Sequence, residues 1–173
     1  MNDSREHATH FEDQLAVLKE HLLQMGGLAE ERVRAAMRGL VERDTGEIEQ
    51  VLLGDDPINQ LQIEIDNRAF TLLALHQPMA IDLRAIVAAM KIDTDLERVG
   101  DLAVNIAEAA TRYLQQRPVK PLIDLPRMSE IAEGMLRDAL DAFIRRDIDL
   151  AQSVLDRDDK LDALKNQVFR ELL

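Results

Sequence analysis

The sequence predicts an all-α protein built from a tandem repeat of antiparallel three-helix bundles. Gly and Pro supply 7 and 5 of the 173 residues, well below the roughly 12% usual for the two together, so turns should be few. Aromatic residues make up 3% of the chain and apolar residues 46%. A core of Leu, Ile, Val, Ala and Met suits helix packing better than a β-sandwich or barrel. Apolar residues also recur every three or four positions, the spacing of one helix face.

The first two helices follow from this spacing and from one capping residue. A first helix is predicted over residues 5–43, because its apolar stripe keeps phase across the glycine pair at 26–27. Asp44 is the expected N-cap of the second helix. We expect that helix to span residues 44–76 and to bend near Pro57, which cannot donate a backbone hydrogen bond.

Three further helices complete the prediction. Pro78 suits the first turn of a third helix over residues 78–116. A short proline-containing linker covers residues 117–121. A fourth helix is predicted over residues 126–146 and a fifth over residues 148–173.

The sequence also matches itself when it is shifted by 103 residues. Identical residues coincide in one register without gaps, which indicates an internal repeat; they include Met25 with Met128, Ala36 with Ala139, Arg43 with Arg146, Asp44 with Asp147, and Val51 with Val154. Residues 1–117 are therefore predicted to form a first three-helix bundle. Residues 118–173 are predicted to form the first two helices of a second, because the third-helix counterpart would lie beyond residue 173. Two amphipathic helices would leave an apolar groove open.

Charge and composition exclude several classes of function. The net charge of −12 opposes binding to nucleic acid or to bare anionic lipid. The chain has no Cys, which excludes thiolate metal sites and a cysteine nucleophile. No apolar run approaches the length of a membrane span, and the first ten residues do not resemble a secretory signal. We expect a cytoplasmic protein without direct membrane insertion.

The third helix carries a row of oxygen ligands that we call the acidic row. On a helical wheel its members fall within one third of the circumference; they are Asp93, Glu97 and Asp101, followed by Asn105 and Glu108. Like charges four residues apart repel each other, so a cation is expected to balance them. Carboxylates without His or Cys favour magnesium, manganese, calcium or iron. A solvated acidic face, paired with arginines from other helices, is the alternative.

Catalytic motifs are lacking in the sequence. The four histidines form no Glu-x-x-His pair, no serine lies in a nucleophile motif, and there is no glycine-rich phosphate loop. The sequence therefore predicts a protein that is not an enzyme.

Two motifs in the third helix and just before it resemble signatures of the PhoU family. The first has the form Gln-Pro-x-Ala-x-Asp-Leu-Arg and the second Leu-Glu-Arg-hydrophobic-Gly-Asp; they cover Gln77 to Arg84 and Leu96 to Asp101. The internal repeat extends the resemblance over essentially the whole chain.

The resemblance implies a regulator of phosphate uptake and of the phosphate regulon. PhoU-like proteins act as adaptors between the phosphate ABC transporter, through its ATPase, and a sensor histidine kinase, and generally form dimers. Such a protein would be peripheral at the inner membrane face through its partners. Some family members bind metal clusters through Glu/Asp-x-x-x-Asp motifs, which correspond here to Glu97 and Asp101, extended by Asp93. The metal could be iron, zinc, manganese or magnesium. The second such motif would lie beyond residue 173.

Two other functions remain open from the sequence. A carboxylate-bound metal could activate water in a hydrolase, with Arg84 and Arg98 as candidate phosphate clamps. The chain could also be a purely structural helical scaffold whose acidic row serves solubility.

Overall fold

The computed structural model describes the backbone of residues 3–54, 56–117 and 122–172, and the side chains of residues 10–54, 57–117 and 122–170. All regular structure in these ranges is helical, which confirms the predicted fold class. The six helices are α1 (Asp3–Glu42), α2 (Thr45–Leu53), α3 (Asp56–His76), α4 (Ala80–Leu114), α5 (Asp124–Arg145) and α6 (Ile148–Leu172).

The predicted second helix is in fact two helices, α2 and α3. The chain leaves helical geometry at Gly54 (φ −101°, ψ 43°), and Pro57 is the second residue of α3. A proline fits there because the first turn of a helix leaves its N–H groups unpaired. Residue 55 lies outside the described residues. Asp44 is the N-cap as predicted, since its Oδ1 accepts hydrogen bonds from the N–H groups of Gly46 and Glu47.

The third predicted helix begins two residues later than expected. Pro78 precedes α4, and the carbonyl of Met79 accepts the first helical hydrogen bonds, from Asp82 and Leu83. Gln77, just before, has a φ of 44°, so the chain turns sharply there. The predicted domain boundary after residue 117 borders residues 118–121, which lie outside the described residues, and it stays a prediction.

The first bundle runs up, down and up. Residues 15–29 of α1 share a buried core with residues 86–96 of α4, and residues 33–40 of α1 share a second with residues 103–114. Helices α1 and α4 are therefore parallel, while α2 and α3 return between them. The largest fully buried apolar side chains are Leu18, Leu22, Met25, Ile65, Leu72, Ile86 and Leu96.

The turns that join the first and second helices of each repeat have the same backbone geometry. Arg43 and Arg146 both have a left-handed backbone conformation, with φ of 59° and 57°. Asp44 N donates to the carbonyl of residue 39 over 3.0 Å, and Asp147 N donates to that of residue 142 over 2.9 Å. Each turn is thus the counterpart of the other after 103 residues, as the sequence repeat predicts.

Helices α1 and α5 pack antiparallel through residues that the repeat also relates. Glu30 and Arg34 of α1 correspond to Glu133 and Arg137 of α5, and we call these four residues the α1–α5 ion-pair cluster. Arg34 donates to Glu30 and, over 2.9 and 3.1 Å, to Glu133, while Arg137 donates to Glu30. Equivalent residues face each other, so α1 and α5 are related by a local two-fold axis.

A close contact at Gly26 brings α5 onto the first bundle. A Cβ at this position would overlap Cδ1 of Leu140, and would lie 3.9 Å from Leu96. Leu140 is 6% exposed and belongs to the core of α1, α3 and α4. The first bundle therefore includes a side chain from beyond its predicted boundary. Gly27, by contrast, has open space around it.

An apolar groove of about 570 Å³ lies between α1, α4, α5 and α6. Its lining is mostly apolar, and on α1, α5 and α6 it includes Val33, Met37, Leu125, Met128, Ala132 and Leu161. The structure thus contains an open groove of the kind that the sequence predicts.

The left-handed turns generate a first prediction. Arg146→Gly should raise the free energy of unfolding by about 1 kcal/mol, because glycine adopts positive φ without the steric cost of a side chain. Arg43→Gly should not raise the free energy of unfolding, because it also removes the hydrogen bonds that Arg43 Nη2 donates to the carbonyls of Leu114 (2.8 Å) and Gln116 (3.1 Å). Urea unfolding followed by circular dichroism measures both. An equal gain in the two variants would contradict this account.

The glycine pair in α1 generates a second prediction. Gly27→Ala should stabilise the protein by about 1 kcal/mol, the difference in helix propensity. Gly26→Ala has the same propensity gain but forces Leu140 to move within a packed core, so it should be at least about 1 kcal/mol less stable than Gly27→Ala. Thermal and urea unfolding of the matched pair decide this, and equal stabilities would show that α5 does not dock closely at Gly26.

Candidate functional site

The core-facing stripe of α4 contains an acidic residue. Its buried positions recur at the three- and four-residue spacing of packed helices; they are Ile86, Ala89, Asp93, Leu96, Gly100, Ala103, Ala107 and Ala110. Asp93 is 0% exposed, although aspartate is almost never fully buried unless it is paired. A buried carboxylate on an apolar stripe therefore marks the strongest candidate site on this helix.

The environment of Asp93 disfavours its charged form. The pKa of its carboxyl is raised to about 6, chiefly by burial and then by the nearby charge of Asp66 on α3, against the lowering effect of hydrogen bonds from Thr94. The Thr94 hydroxyl lies 3.2 Å from Oδ1, while Oδ2 is buried and has no hydrogen-bond partner among the described residues. A buried carboxylate oxygen without a hydrogen-bond partner, close enough to a second carboxylate to feel its charge, is a place where a cation would be stabilised.

The acidic row does not lie in one environment. Glu97 is half-buried, whereas Asp101, Asn105 and Glu108 are exposed. The 100° step per residue carries the row steadily away from the core-facing stripe. In addition, Arg98 lies 3.6 Å from Asp95, and Arg112 lies 4.0 Å from Glu108, so part of this surface is balanced by arginines of α4 itself.

The described residues contain no group of three His, Asp or Glu side chains arranged to hold a metal ion. The predicted ligand set of Asp93, Glu97 and Asp101, with Asn105 and Glu108, therefore stays a prediction. The structure adds Asp66, which the sequence analysis missed. Nothing in the spacing of α3 links Asp66 to Asp93, because their proximity arises from the packing of two helices. The sequence did contain one signal of the site: an acidic residue, Asp93, at a position of α4 where the helical spacing predicts a buried side chain.

Gly100 permits the close approach of α3 and α1 beside this site. A Cβ at this position would lie 3.0 Å from Ile58 Cδ1 of α3 and 4.0 Å from Arg32 Nη1 of α1. Arg32 is itself 7% exposed, and its Nη2 donates to the carbonyl of Val51 over 3.0 Å. The glycine of the Leu-Glu-Arg-hydrophobic-Gly-Asp motif thus has a packing role.

Fold and site together define a class of all-helical proteins built from a repeated helical unit, with a carboxylate buried between two helices. Within that class, the PhoU domain family model matches residues 22–110 and 125–173. The chain belongs to the PhoU family, which confirms the resemblance noted in the sequence.

Relatives in several bacteria show the same similarity. The chain is 41% identical to the phosphate-specific transport system accessory protein PhoU homolog of Caulobacter vibrioides, over 93% of this chain and 70% of that protein. It is 39% identical to the homolog of Aquifex aeolicus, over 92% of this chain and 72% of that protein.

Solved structures confirm the fold. PhoU from Pseudomonas aeruginosa superposes with a TM-score of 0.88 at 37% identity, over 94% of this chain and 78% of that one. The phosphate transport system regulatory protein PhoU from Streptococcus pneumoniae gives a TM-score of 0.83 at 31% identity, over 93% and 76%. Within the described ranges, no helix combines the length and the apolar character that a membrane crossing requires.

The buried carboxyl generates a third prediction. Its pKa is about 6 in the folded protein against 3.8 unperturbed, so the folded state binds the proton more tightly. Ionisation of the Asp93 carboxyl therefore lowers the free energy of unfolding by about 3 kcal/mol. This loss of stability is absent below pH 3.8 and fully present above pH 6. With EDTA present, Asp93→Asn should therefore raise the free energy of unfolding by about 1–2 kcal/mol at pH 7.5, after the cost of burying an amide, and far less at pH 4.

Urea unfolding at the two pH values measures this difference. Asp101→Asn is the matched control, because Asp101 is exposed on the same helix and its substitution should change stability little at either pH. A destabilised Asp93→Asn at pH 7.5 would show that the ionised carboxylate is stabilised rather than strained.

Proposed function

We propose that this protein is a regulatory accessory protein of a phosphate ABC transporter. The observation that carries the proposal is membership of the PhoU family, together with relatives named as accessory proteins of the phosphate-specific transport system. We infer that it acts in the cytoplasm, at the inner membrane face, on the transporter ATPase and a sensor histidine kinase. Its effect is to keep the phosphate regulon off when phosphate is plentiful, and a homodimer is the expected form.

The mechanism that we propose is a shift in populations. An adaptor without turnover changes a transporter–kinase assembly by binding one of its states more tightly than the other. Long amphipathic helices offer extended faces for such binding. The names of the relatives support this function over the hydrolase, and so does the arginine pairing, because Arg98 lies beside Asp95 rather than beside the buried carboxylate.

We further propose that a divalent cation binds at Asp66 and Asp93, with Glu97 and Asp101 as additional ligands and Asn105 and Glu108 at its periphery. The support is the unpartnered Oδ2 of Asp93 and its raised pKa. Two carboxylates can hold magnesium or manganese when water completes the coordination. A bound cation would offset the repulsion between the carboxylates and stiffen the contact between α3 and α4.

The fourth prediction tests the cation site directly. Manganese, iron(II), zinc or magnesium at millimolar concentration should raise the melting temperature of the wild-type protein after chelator treatment, because a ligand that binds the folded state stabilises it. Asp66→Asn and Asp93→Asn should lose most of this shift. Asp95→Asn, on the exposed side of α4, should keep it. Equal shifts in all the variants would exclude this site.

The regulatory function is tested in cells that lack their own PhoU. The wild-type protein should restore repression of a phosphate-regulated reporter in high phosphate. Purified protein immobilised on beads should also retain the transporter ATPase and the kinase. A protein that binds neither and does not restore repression, although folded by circular dichroism, would contradict the proposal and favour the structural scaffold.

A further inference from the structure

Two histidines lie next to each other where the first part of α1 meets the end of α3. The ring centres of His10 and His76 are 5.8 Å apart, and the ring planes are inclined by 50°. His10 is exposed and His76 is half-buried, so ions in the solvent can reach the pair. Neither histidine belongs to the candidate carboxylate site around Asp93.

The separation of the two rings fits a shared metal ion. A zinc ion binds an imidazole nitrogen at about 2.0–2.1 Å, which brings the centres of two imidazoles on one ion roughly 5–6 Å apart. The distance between His10 and His76 lies in this range. Stacked rings would be nearly parallel and a T-shaped pair nearly perpendicular, so the inclination of 50° is typical of neither.

The backbone around His76 also favours a cation. His76 lies in the last turn of α3, where the final carbonyl groups of a helix lack intrahelical partners and carry partial negative charge. Gln77 follows with a φ of 44°, so the chain turns away sharply and exposes this helix end. The field of the helix therefore adds to the affinity of the imidazole for a positive ion.

Phe11 restricts the position of His76. The centre of the Phe11 ring is 5.3 Å from that of His76, and Phe11 itself packs against the core of the first bundle. A side chain that is already restricted loses less conformational entropy when it binds a ligand. The apolar ring also limits the access of water to one side of the pair, which strengthens the binding of a metal ion.

We propose that His10 and His76 bind one divalent transition-metal ion, such as zinc, nickel or copper, which links α1 to α3. Imidazole is a ligand that these ions favour, whereas magnesium and calcium favour oxygen ligands. Water completes the coordination, because no third His, Asp or Glu of the described residues joins the pair. The ion holds the first turns of α1 against the end of α3, and so opposes their local unfolding.

The test titrates nickel chloride into the full chain, without a histidine tag and after chelator treatment, in millimolar magnesium. Magnesium occupies carboxylates but competes poorly for imidazole. Calorimetry should show saturable binding of one nickel ion per chain. His10→Gln and His76→Gln should each weaken binding at least about tenfold, because each removes a ligand. His21→Gln is the matched control. It removes an imidazole of α1 that lies beside Glu64 instead, and it should bind nickel as the wild type does.

Zinc provides a readout that identifies the ligands. In proton NMR spectra, zinc should shift the imidazole resonances of His10 and His76, which the variants assign, and leave those of His21 unchanged. Zinc should also raise the melting temperature of the wild type more than that of either variant, because the ion binds the folded state. Circular dichroism checks that all the variants are folded.

Four results would overturn the proposal. The first is the absence of saturable nickel binding to the wild type, and the second is equal binding by all three variants. The third is a loss of binding in His10→Gln but not in His76→Gln, which would place the ion on α1 alone. The fourth is a zinc-dependent dimer by light scattering that both variants abolish, which would show that the ligands come from two chains. The carboxylate site is tested separately through Asp66 and Asp93, so either site can fail without the other.

Discussion

The antiparallel contact between α1 and α5 is the constraint on which the rest of the structure depends. Gly26 admits Leu140 into the first core, and the α1–α5 ion-pair cluster fixes the register a turn away. Because equivalent residues meet across a local two-fold axis, one interface positions both repeats. Helix α1 therefore serves as a wall of the first core and, through Val33, Met37 and Leu40, as a wall of the groove.

The candidate site has an energetic cost that the fold does not need. A core position that Leu or Ala would fill more favourably is instead Asp93, with an unpartnered oxygen and a second carboxylate nearby. Buried charges of this kind are expensive unless they are paired or coordinate a cation, and perturbed carboxyls concentrate at functional sites. The same helix carries Gly100, whose missing side chain lets α3 approach and so keeps Asp66 near Asp93.

The two repeats show how one sequence pattern produces two environments. Left-handed turns at Arg43 and Arg146, and capping carboxylates at Asp44 and Asp147, begin the second helix of each repeat in the same way. In the first repeat, α4 closes the core. In the second, the corresponding apolar surface lines an open groove. An adaptor of the kind proposed requires exposed apolar surfaces of this sort.

The sequence by itself determined the helices, the repeat and the family. Apolar spacing of three and four residues, few glycines and prolines, and the 103-residue match depend on local geometry, and these predictions are confirmed. The start of α4 and the break at Gly54 differ from the sequence-based prediction, because the ends of helices depend on a few weak local hydrogen bonds. The tertiary structure alone decided that Asp93 is buried beside Asp66 while Asp101 is exposed, and that Leu140 enters the first core. Those facts depend on which helices meet and at what distance, and the spacing of residues within one helix contains no information about its neighbours.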